Sequence, residues 1–166
     1  MKKALEFLKN HVEVAFATCE NNRPKIRVFQ IMKMDGTDLY FATSPVKGVY
    51  KQLQDNPYIE ILSREGQISV RCVGKAVFDV DEETKKWIYE HNSVLSRLYS
   101  SYDKMVYFKM TIEQMDYYDL EPTPPVLKHF DLVNHTEGNG FVGERFRRKN
   151  CVVLRSVGYE GNQSWT

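Results

Sequence analysis

Residues 25–61, KIRVFQIMKMDGTDLYFATSPVKGVYKQLQDNPYIEI, decide the fold of this 166-residue chain. Residues 25–33 and 38–43 are short runs of strand-forming residues, and Asp35-Gly36 lies between them. An Asp-Gly pair in this position is the strongest short-range signal of a β-hairpin. Residues 12–19 alternate in side-chain character, and the Asn and Pro residues that follow them are typical of a turn. The sequence therefore predicts three strands joined by tight turns.

A helix is predicted directly after these strands. Ser44 is a good N-cap residue, and Pro45 suits the first helical position because its missing N–H is not needed there. Residues 46–55 place four apolar side chains on one helical face, and Asn56-Pro57 ends the segment.

The rest of the chain continues mainly as strands. Alternating patterns predict further strands at residues 58–62, 68–80 and 106–112, the last continued by 115–120. Helices are predicted at residues 4–10 and from Asp81 through Leu98. About six strands joined mostly by hairpins favour a mainly β fold with peripheral helices, a six-stranded antiparallel barrel, over a doubly wound parallel sheet.

Composition excludes several classes of protein. The 23 basic and 22 acidic residues give a net charge of +1, without the basic excess typical of nucleic-acid binders. No apolar run approaches the roughly 20 residues that span a bilayer, and the N-terminus lacks the apolar segment of a signal peptide. Cys19, Cys72 and Cys151 are widely spaced, and the four histidines lack metal-ligand spacing. We therefore expect a cytoplasmic protein with reduced thiols, no membrane span and no metal site.

One group of residues predicts an anion site. Arg27 lies in the middle of a strand on the face of Phe29, where an unpaired guanidinium is costly unless it reaches water or meets an anion. Thr43 and Ser44 end the neighbouring strand where the helix begins, and Lys47 lies in the first turn of that helix. Hydroxyls, exposed N–H groups and a cation at a helix N-terminus form a phosphate-binding arrangement. The alternative, in which Ser44 only caps the helix and Arg27 pairs with a surface acid, stays open at this point.

Residues 25–61 and the following ISVRCVGKAVFDVDEETKK (68–86) together resemble the pyridoxamine 5′-phosphate oxidase-like superfamily of FMN-binding split barrels. The matching features are an Arg-Val strand, an Asp-Gly hairpin, a YFAT strand end, a Lys-bearing helix and a V-x-G-x-A strand before an acidic helix start. More narrowly, the chain is similar to the small general-stress and nitroimidazole-resistance-like members. The resemblance implies a split-barrel domain over residues 1–132. Residues 133–166 are then a C-terminal extension, either an interface arm or a partly disordered tail.

The resemblance also implies the cofactor and its site. The cofactor would be FMN, and the residues that match its binding positions are Arg27, Val28, Phe29, Gln30, Thr43, Ser44, Lys47 and Ser69. In this set the arginine, the lysine and the two hydroxyls that end the strand match the phosphate-binding positions. The three residues after the arginine would run beneath the isoalloxazine ring, and Ser69 would approach the flavin from a neighbouring strand. No catalytic residue is implied, because the cofactor carries the redox chemistry.

The implied function is electron or hydride transfer. The partners would be a small-molecule substrate, an electron donor such as NAD(P)H, and a second copy of the chain in a homodimer with flavin sites at its interface. Oxidation of pyridoxamine phosphate is not expected. The C-terminal Arg-Leu-x-Pro signature of the authentic oxidases is missing, and only residues 145–150 and 154–157 approach it. Two alternatives stay open: a non-catalytic flavin-binding or flavin-sensing protein, and a related barrel that binds haem or a deazaflavin.

Overall fold

A computed structural model of the chain describes residues 1–140 and 152–153. One antiparallel sheet carries all ten of the described strands, and the helices lie around it, which confirms the predicted mainly β class. The strands are β1 (Glu13–Glu20), β2 (Arg23–Gln30), β3 (Lys33–Asp35), β4 (Asp38–Thr43), β5 (Tyr58–Glu65), β6 (Ile68–Val77), β7 (Val106–Asp119), β8 (Val126–Asp131), β9 (Thr136–Asn139) and β10 (Val152–Val153). The helices are α1 (Lys2–Asn10), α2 (Gly48–Asp55), α3 (Glu82–Glu90) and α4 (Ser93–Leu98), with a single 3₁₀ turn at Tyr102–Lys104.

The long strand β7 organises the sheet. β6 pairs with β7 along one edge, while the other edge is shared by β4 and β8. The path through the sheet runs β10-β9-β8-β7-β6-β5-β1-β2, with β4 on β7 and β3 on β4. The six predicted strands correspond to β1, β2, β4, β5, β6 and β7, which form the barrel.

The barrel is not closed by a continuous ladder of hydrogen bonds. Among the described strands β2 pairs with β1 alone, so its other edge faces β4 without a ladder. We call this gap between β2 and β4 the seam. Just after β2 a backbone hydrogen bond bridges it, in which Met32 N donates to Tyr40 O at 2.9 Å. Side chains complete the closure, since the rings of Phe29 on β2 and Phe41 on β4 pack edge to face with centroids 6.1 Å apart.

Four phenylalanines form the centre of the core. Phe16 stacks on Phe29 at 4.4 Å, and Phe41 stacks on Phe108 at 5.4 Å, with the two pairs in edge-to-face contact. These rings come from β1, β2, β4 and β7, and each such pair contributes about 0.5–1.5 kcal/mol beyond burial of its area. The ring cluster therefore holds the two sides of the seam together.

Several predicted boundaries are wrong, among them the ends of β5 and β6. Residues 25–33 do not form one strand: β2 ends at Gln30, and the chain then turns to pair with β4 as β3. α2 begins at Gly48 rather than at Val46, because residues 44–47 form a hydrogen-bonded turn. The helix predicted from Asp81 to Leu98 is two helices, because the Asn92 side chain accepts from the N–H groups of the next turn and starts α4.

The sheet continues beyond the predicted domain boundary at residue 132. β9 pairs antiparallel with β8, and β10 pairs with β9. The early part of the predicted extension therefore belongs to the sheet. Residues 141–151 and 154–166, which include the basic run at 145–149, lie outside the described residues.

The described part of the chain contains no membrane-spanning helix, no disulfide and no metal-ligand cluster. None of its helices is long and apolar enough to cross a membrane. Cys19 and Cys72 are free thiols, whereas Cys151 lies outside the described residues. Within the same ranges no group of three His, Cys, Asp or Glu side chains is arranged to hold a metal ion.

A charged ladder crosses four strands on the outer side of the sheet. Asp116 is 2% exposed and accepts from Arg71 Nε at 2.9 Å, while its other oxygen lies 2.6 Å from His129 Nδ1. Glu60 reaches the same guanidinium from the solvent side at 3.0 Å. Burial opposes the charge of Asp116, but the hydrogen bonds from His129 and Arg71 outweigh it and hold the pKa of this carboxyl below its usual value.

We expect Asp116→Asn to lower the free energy of unfolding at neutral pH by about 1–3 kcal/mol, because Arg71 loses its buried counter-charge and keeps only the exposed Glu60. A carboxyl whose pKa is lowered in the folded state stabilises the fold above its unfolded pKa, and this contribution is lost as pH falls through the folded pKa. The wild-type free energy of unfolding should therefore fall below about pH 4, and that of the variant should fall less. Denaturant titrations at neutral and acidic pH measure both effects.

The matched control is Glu60→Gln, which removes the exposed carboxylate from the same arginine. We expect it to cost no more than about 1 kcal/mol. Equal losses in the two variants would contradict a structural role for the buried carboxylate.

Candidate functional site

The free edge of β2 presents backbone hydrogen-bonding groups. Ile31 N donates to Val12 O at 2.8 Å, so alternate residues of this strand bond to β1. In an antiparallel pair the residues between them direct their N–H and C=O groups away from the partner strand. Val28 and Gln30 are such residues, and their backbone groups therefore line the edge that faces the seam. The Val28 side chain is 73% exposed, whereas Phe29 packs against the core.

Arg27 lies beside this edge with its guanidinium partly buried. Its Nη1 donates to Thr18 Oγ1 at 2.7 Å, and its Nη2 donates to Gln52 Oε1 at 2.9 Å. Both acceptors are neutral oxygens, and within the described part of the chain the guanidinium forms no ion pair. Burial lowers the pKa of Arg27, opposed by the charge of Glu20, but an arginine remains ionised at any physiological pH. The strand thus holds a positive charge that no carboxylate in contact compensates.

Thr43 ends β4 with a hydroxyl that lacks a partner. Its side chain is 2% exposed, and Thr43 Oγ1 is the one fully buried side-chain polar atom of the described residues without a hydrogen bond. Such a group costs about 1–3 kcal/mol when it stays unpaired. An unsatisfied buried hydroxyl at the end of a strand is a feature that a bound ligand would remove.

The turn after Thr43 leads to an uncapped helix. Ser44 Oγ is 3.5 Å from Val46 N, and Ser44 O accepts from Lys47 N at 3.1 Å, so Ser44 shapes the turn and is not the N-cap. The N-cap residue of α2 is Lys47, which makes no side-chain capping bond and is exposed. The first N–H groups of α2 are therefore not occupied by a capping side chain, and they carry the positive end of the helix dipole.

α2 packs next to Arg27 and follows the turn that carries Thr43 and Ser44. Gln52 of this helix contacts Arg27, and a Cβ atom built on Gly48 at its first turn would lie 3.9 Å from Gln52 Nε2. The turn that carries Thr43 and Ser44 leads directly into the same helical turn. Arg27 and the start of α2 thus lie on either side of the Gln52 side chain.

Two other predicted residues make contacts with other parts of the fold, Gln30 through its side chain and Ser69 through its strand. The Gln30 side chain accepts a hydrogen bond from Asn92 Nδ2 at 3.2 Å, at the junction of α3 and α4. Ser69 pairs with Tyr118 on β7, twelve positions from Val106, the partner of Thr43. Twelve positions amount to about 40 Å along the strand, and the role of Ser69 stays a prediction.

Sequence reasoning missed Thr18, Gln52 and Glu20, although all three lie close to Arg27. Thr18 is the one polar residue on the inward face of residues 12–19, and Gln52 is a polar residue on the buried face of α2. Polar residues on otherwise apolar faces were the available signal. Their partners could not be inferred, because the contact between residues 18 and 52 joins distant parts of the chain.

We expect Thr43→Val to stabilise the ligand-free chain by about 1–3 kcal/mol, because it replaces an unpaired buried hydroxyl by a methyl group of similar shape. Thr43→Ser, which keeps the hydroxyl and loses the methyl group, is the control and should lower the free energy of unfolding. Denaturant titration measures both variants. A Val variant as unstable as the Ser variant would show that the hydroxyl is satisfied in solution.

Comparisons with known proteins agree with this architecture. The family model of pyridoxamine 5′-phosphate oxidase matches residues 1–119. A nimC/nimA family protein from Clostridium acetobutylicum is 27% identical, with a TM-score of 0.67 over 80% of this chain and 93% of that one. A protein from the same organism related to general stress protein 26 is 18% identical, with a TM-score of 0.66 over 80% of this chain and 94% of that one.

A pyridoxamine 5′-phosphate oxidase-related, FMN binding protein from Nostoc punctiforme is 16% identical, with a TM-score of 0.65 over 78% of this chain and 87% of that one. No curated protein matches the chain. The family model covers well over half of the sequence, and the similar structures share the sheet described above. The chain belongs to the pyridoxamine 5′-phosphate oxidase family, and its fold is that of the split barrel.

Proposed function

We propose that this chain binds FMN and holds the flavin phosphate between Arg27 and the start of α2. The observation that carries the proposal is the partly buried guanidinium of Arg27, whose two contacts are neutral oxygens. An uncompensated charge in this position favours an anionic ligand. The expectation that Arg27 pairs with a surface acid finds no support among the described contacts.

The residues present fit a phosphate group. A phosphate monoester carries up to two negative charges and accepts hydrogen bonds only. Thr43 Oγ1, the first N–H groups of α2 and the exposed Lys47 would supply donors and positive charge from the turn that leads into α2. The helix N-terminus alone would be a weak argument, and the unpaired hydroxyl of Thr43 supplies the second one.

The edge of β2 is suited to the ring of the cofactor. The ring carries both donors and acceptors, and the backbone groups of Val28 and Gln30 offer both kinds along the seam. When bound, FMN would supply electron or hydride transfer, with a reduced nicotinamide as donor and a small molecule as acceptor. The protein's own contribution is to anchor the phosphate, to bond the polar side of the ring and to leave one face for the substrate.

A homodimer is part of the proposal. Ile26 is 74% exposed, and it lies with Val28 and Leu62 on the outward face of β2 and β5. A hydrophobic strand at an open edge invites aggregation unless another chain covers it. A second copy of this chain would cover both the apolar face and the site. The free thiols of Cys19 and Cys72 are consistent with a reducing compartment, which we propose to be the cytoplasm.

After loading with FMN and desalting, the wild-type protein should keep the flavin. The double variant Arg27→Ala/Lys47→Ala should lose it. Each lost charge-assisted contact weakens phosphate binding by roughly 1.5–3 kcal/mol. The visible absorption of the eluted protein is the measurement.

The control is Arg23→Ala/Lys51→Ala, which removes one exposed Arg from β2 and one exposed Lys from α2. It should retain FMN like the wild type. Equal retention in all three proteins would remove the assignment of the phosphate site. If the wild-type protein does not bind FMN but binds haem or a deazaflavin, the assignment of FMN as the cofactor is wrong. If it retains FMN but turns over no electron donor, the non-catalytic alternative is favoured.

For the dimer, we expect Val28→Lys to convert the wild-type homodimer into monomers, because it places a charge in the buried interface. Val133→Lys, at a position that is also largely exposed in the single chain, is the control and should stay dimeric. Light scattering coupled to size-exclusion chromatography gives the masses. A monomeric wild-type protein would contradict the proposal.

A further inference from the structure

We infer that Gln52 is a positioning residue that orients Arg27 while leaving its positive charge available to a phosphate. The inference rests on the proposed function and adds to it the reason why residue 52 must be neutral. Gln52 lies on α2 and is 8% exposed. Its importance would lie in its contacts with three neighbouring side chains.

The Gln52 amide is fixed at both ends. Its Oε1 accepts from Thr18 Oγ1 at 2.7 Å and from Arg27 Nη2 at 2.9 Å, and its Nε2 donates to Glu20 Oε1 at 3.2 Å. A flipped amide would direct its NH₂ group at the guanidinium and its oxygen at the carboxylate, which is unfavourable on both sides. The network therefore allows one orientation, in which an oxygen faces Arg27.

The same network fixes the plane of the guanidinium. Thr18, which is 5% exposed, accepts from Nη1, while Gln52 accepts from Nη2. Two acceptors on different nitrogens determine the orientation of a planar group. A guanidinium has five N–H donors, so donors remain for a ligand after these two contacts. Preorganisation of this kind lowers the entropic cost of binding.

The neutral amide also separates Arg27 from the nearest acid. Glu20 bonds to the nitrogen end of Gln52 and pairs with Lys25, whose Nζ lies 3.4 Å from its second oxygen. The hydrogen bond from Gln52, and then that from Lys25, lower the pKa of Glu20, so this carboxylate is ionised at neutral pH. A carboxylate at residue 52 would instead contact the guanidinium directly and compete with a phosphate.

The test moves the negative charge without changing the net charge of the cluster. The double variant Glu20→Gln/Gln52→Glu exchanges the amide and the carboxylate, so that the hydrogen bond between the two side chains can form in the reverse direction. We expect the dissociation constant of FMN to rise by about 10- to 100-fold, the size of one charge-assisted hydrogen bond. Riboflavin, which has the same ring and no phosphate, should bind as it does to the wild type.

Two further variants provide the controls. Glu20→Gln alone removes the acid without placing a charge on residue 52, and FMN should bind at least as tightly as to the wild type. Thr18→Val removes the second acceptor of Arg27 and should raise the dissociation constant of FMN by about 3- to 10-fold, with no effect on that of riboflavin. Thr18→Ser, which keeps the hydroxyl, should bind FMN like the wild type. Flavin fluorescence quenching measures all of these constants.

The outcomes separate this inference from the proposed function. A wild-type protein that binds FMN no better than riboflavin would overturn the phosphate site itself. A wild-type preference for FMN that survives both the exchange and Thr18→Val would leave the phosphate site in place and overturn the role of Gln52. Equal loss of FMN and riboflavin in the exchanged variant would also overturn it, because the change would then act on the fold and not on the phosphate.

Discussion

The seam between β2 and β4 is the constraint on which the structure depends. The sheet curls far enough to bring these strands together, yet only side chains join them over most of their length, with Phe29 and Phe41 in contact across the gap. Ring packing can hold two strands together without using their backbone groups. The donors and acceptors on the free edge of β2 consequently stay available, and the end of β4 lies at the same seam. The split in the barrel is thus both a packing solution and the origin of the candidate site.

The site carries two features that stability alone would not favour. One is the partly buried charge of Arg27 with neutral partners, and the other is the unpaired hydroxyl of Thr43. Elsewhere in the part of the chain that the structure describes such groups are satisfied, as the contacts of Asp116 with Arg71 and His129 show. Uncompensated polar groups are concentrated at functional sites because a ligand completes them. The contrast between the two regions of one sheet is the physical basis for assigning function to the first.

Local signals in the sequence predicted the barrel well and the site in part. The turn at Asp35-Gly36 and the alternation of residues 12–19 depend on neighbours in the chain, and both appear in the structure. Ser44 was wrong as an N-cap, because the turn around Pro45 moves the helix start to Gly48. The partners of Arg27 could not be predicted, because register and helix docking, not local pattern, bring β1, β2 and α2 together.

The most direct test of this account is a crystal structure of the protein with FMN bound. We expect the phosphate within hydrogen-bonding distance of Arg27 and of Thr43 Oγ1, with the ring along the free edge of β2. The contacts of Arg27 with Thr18 and Gln52 should be the same with and without the cofactor. A phosphate bound at another part of the sheet, with Thr43 still unpaired and Arg27 facing water, would contradict the central claim.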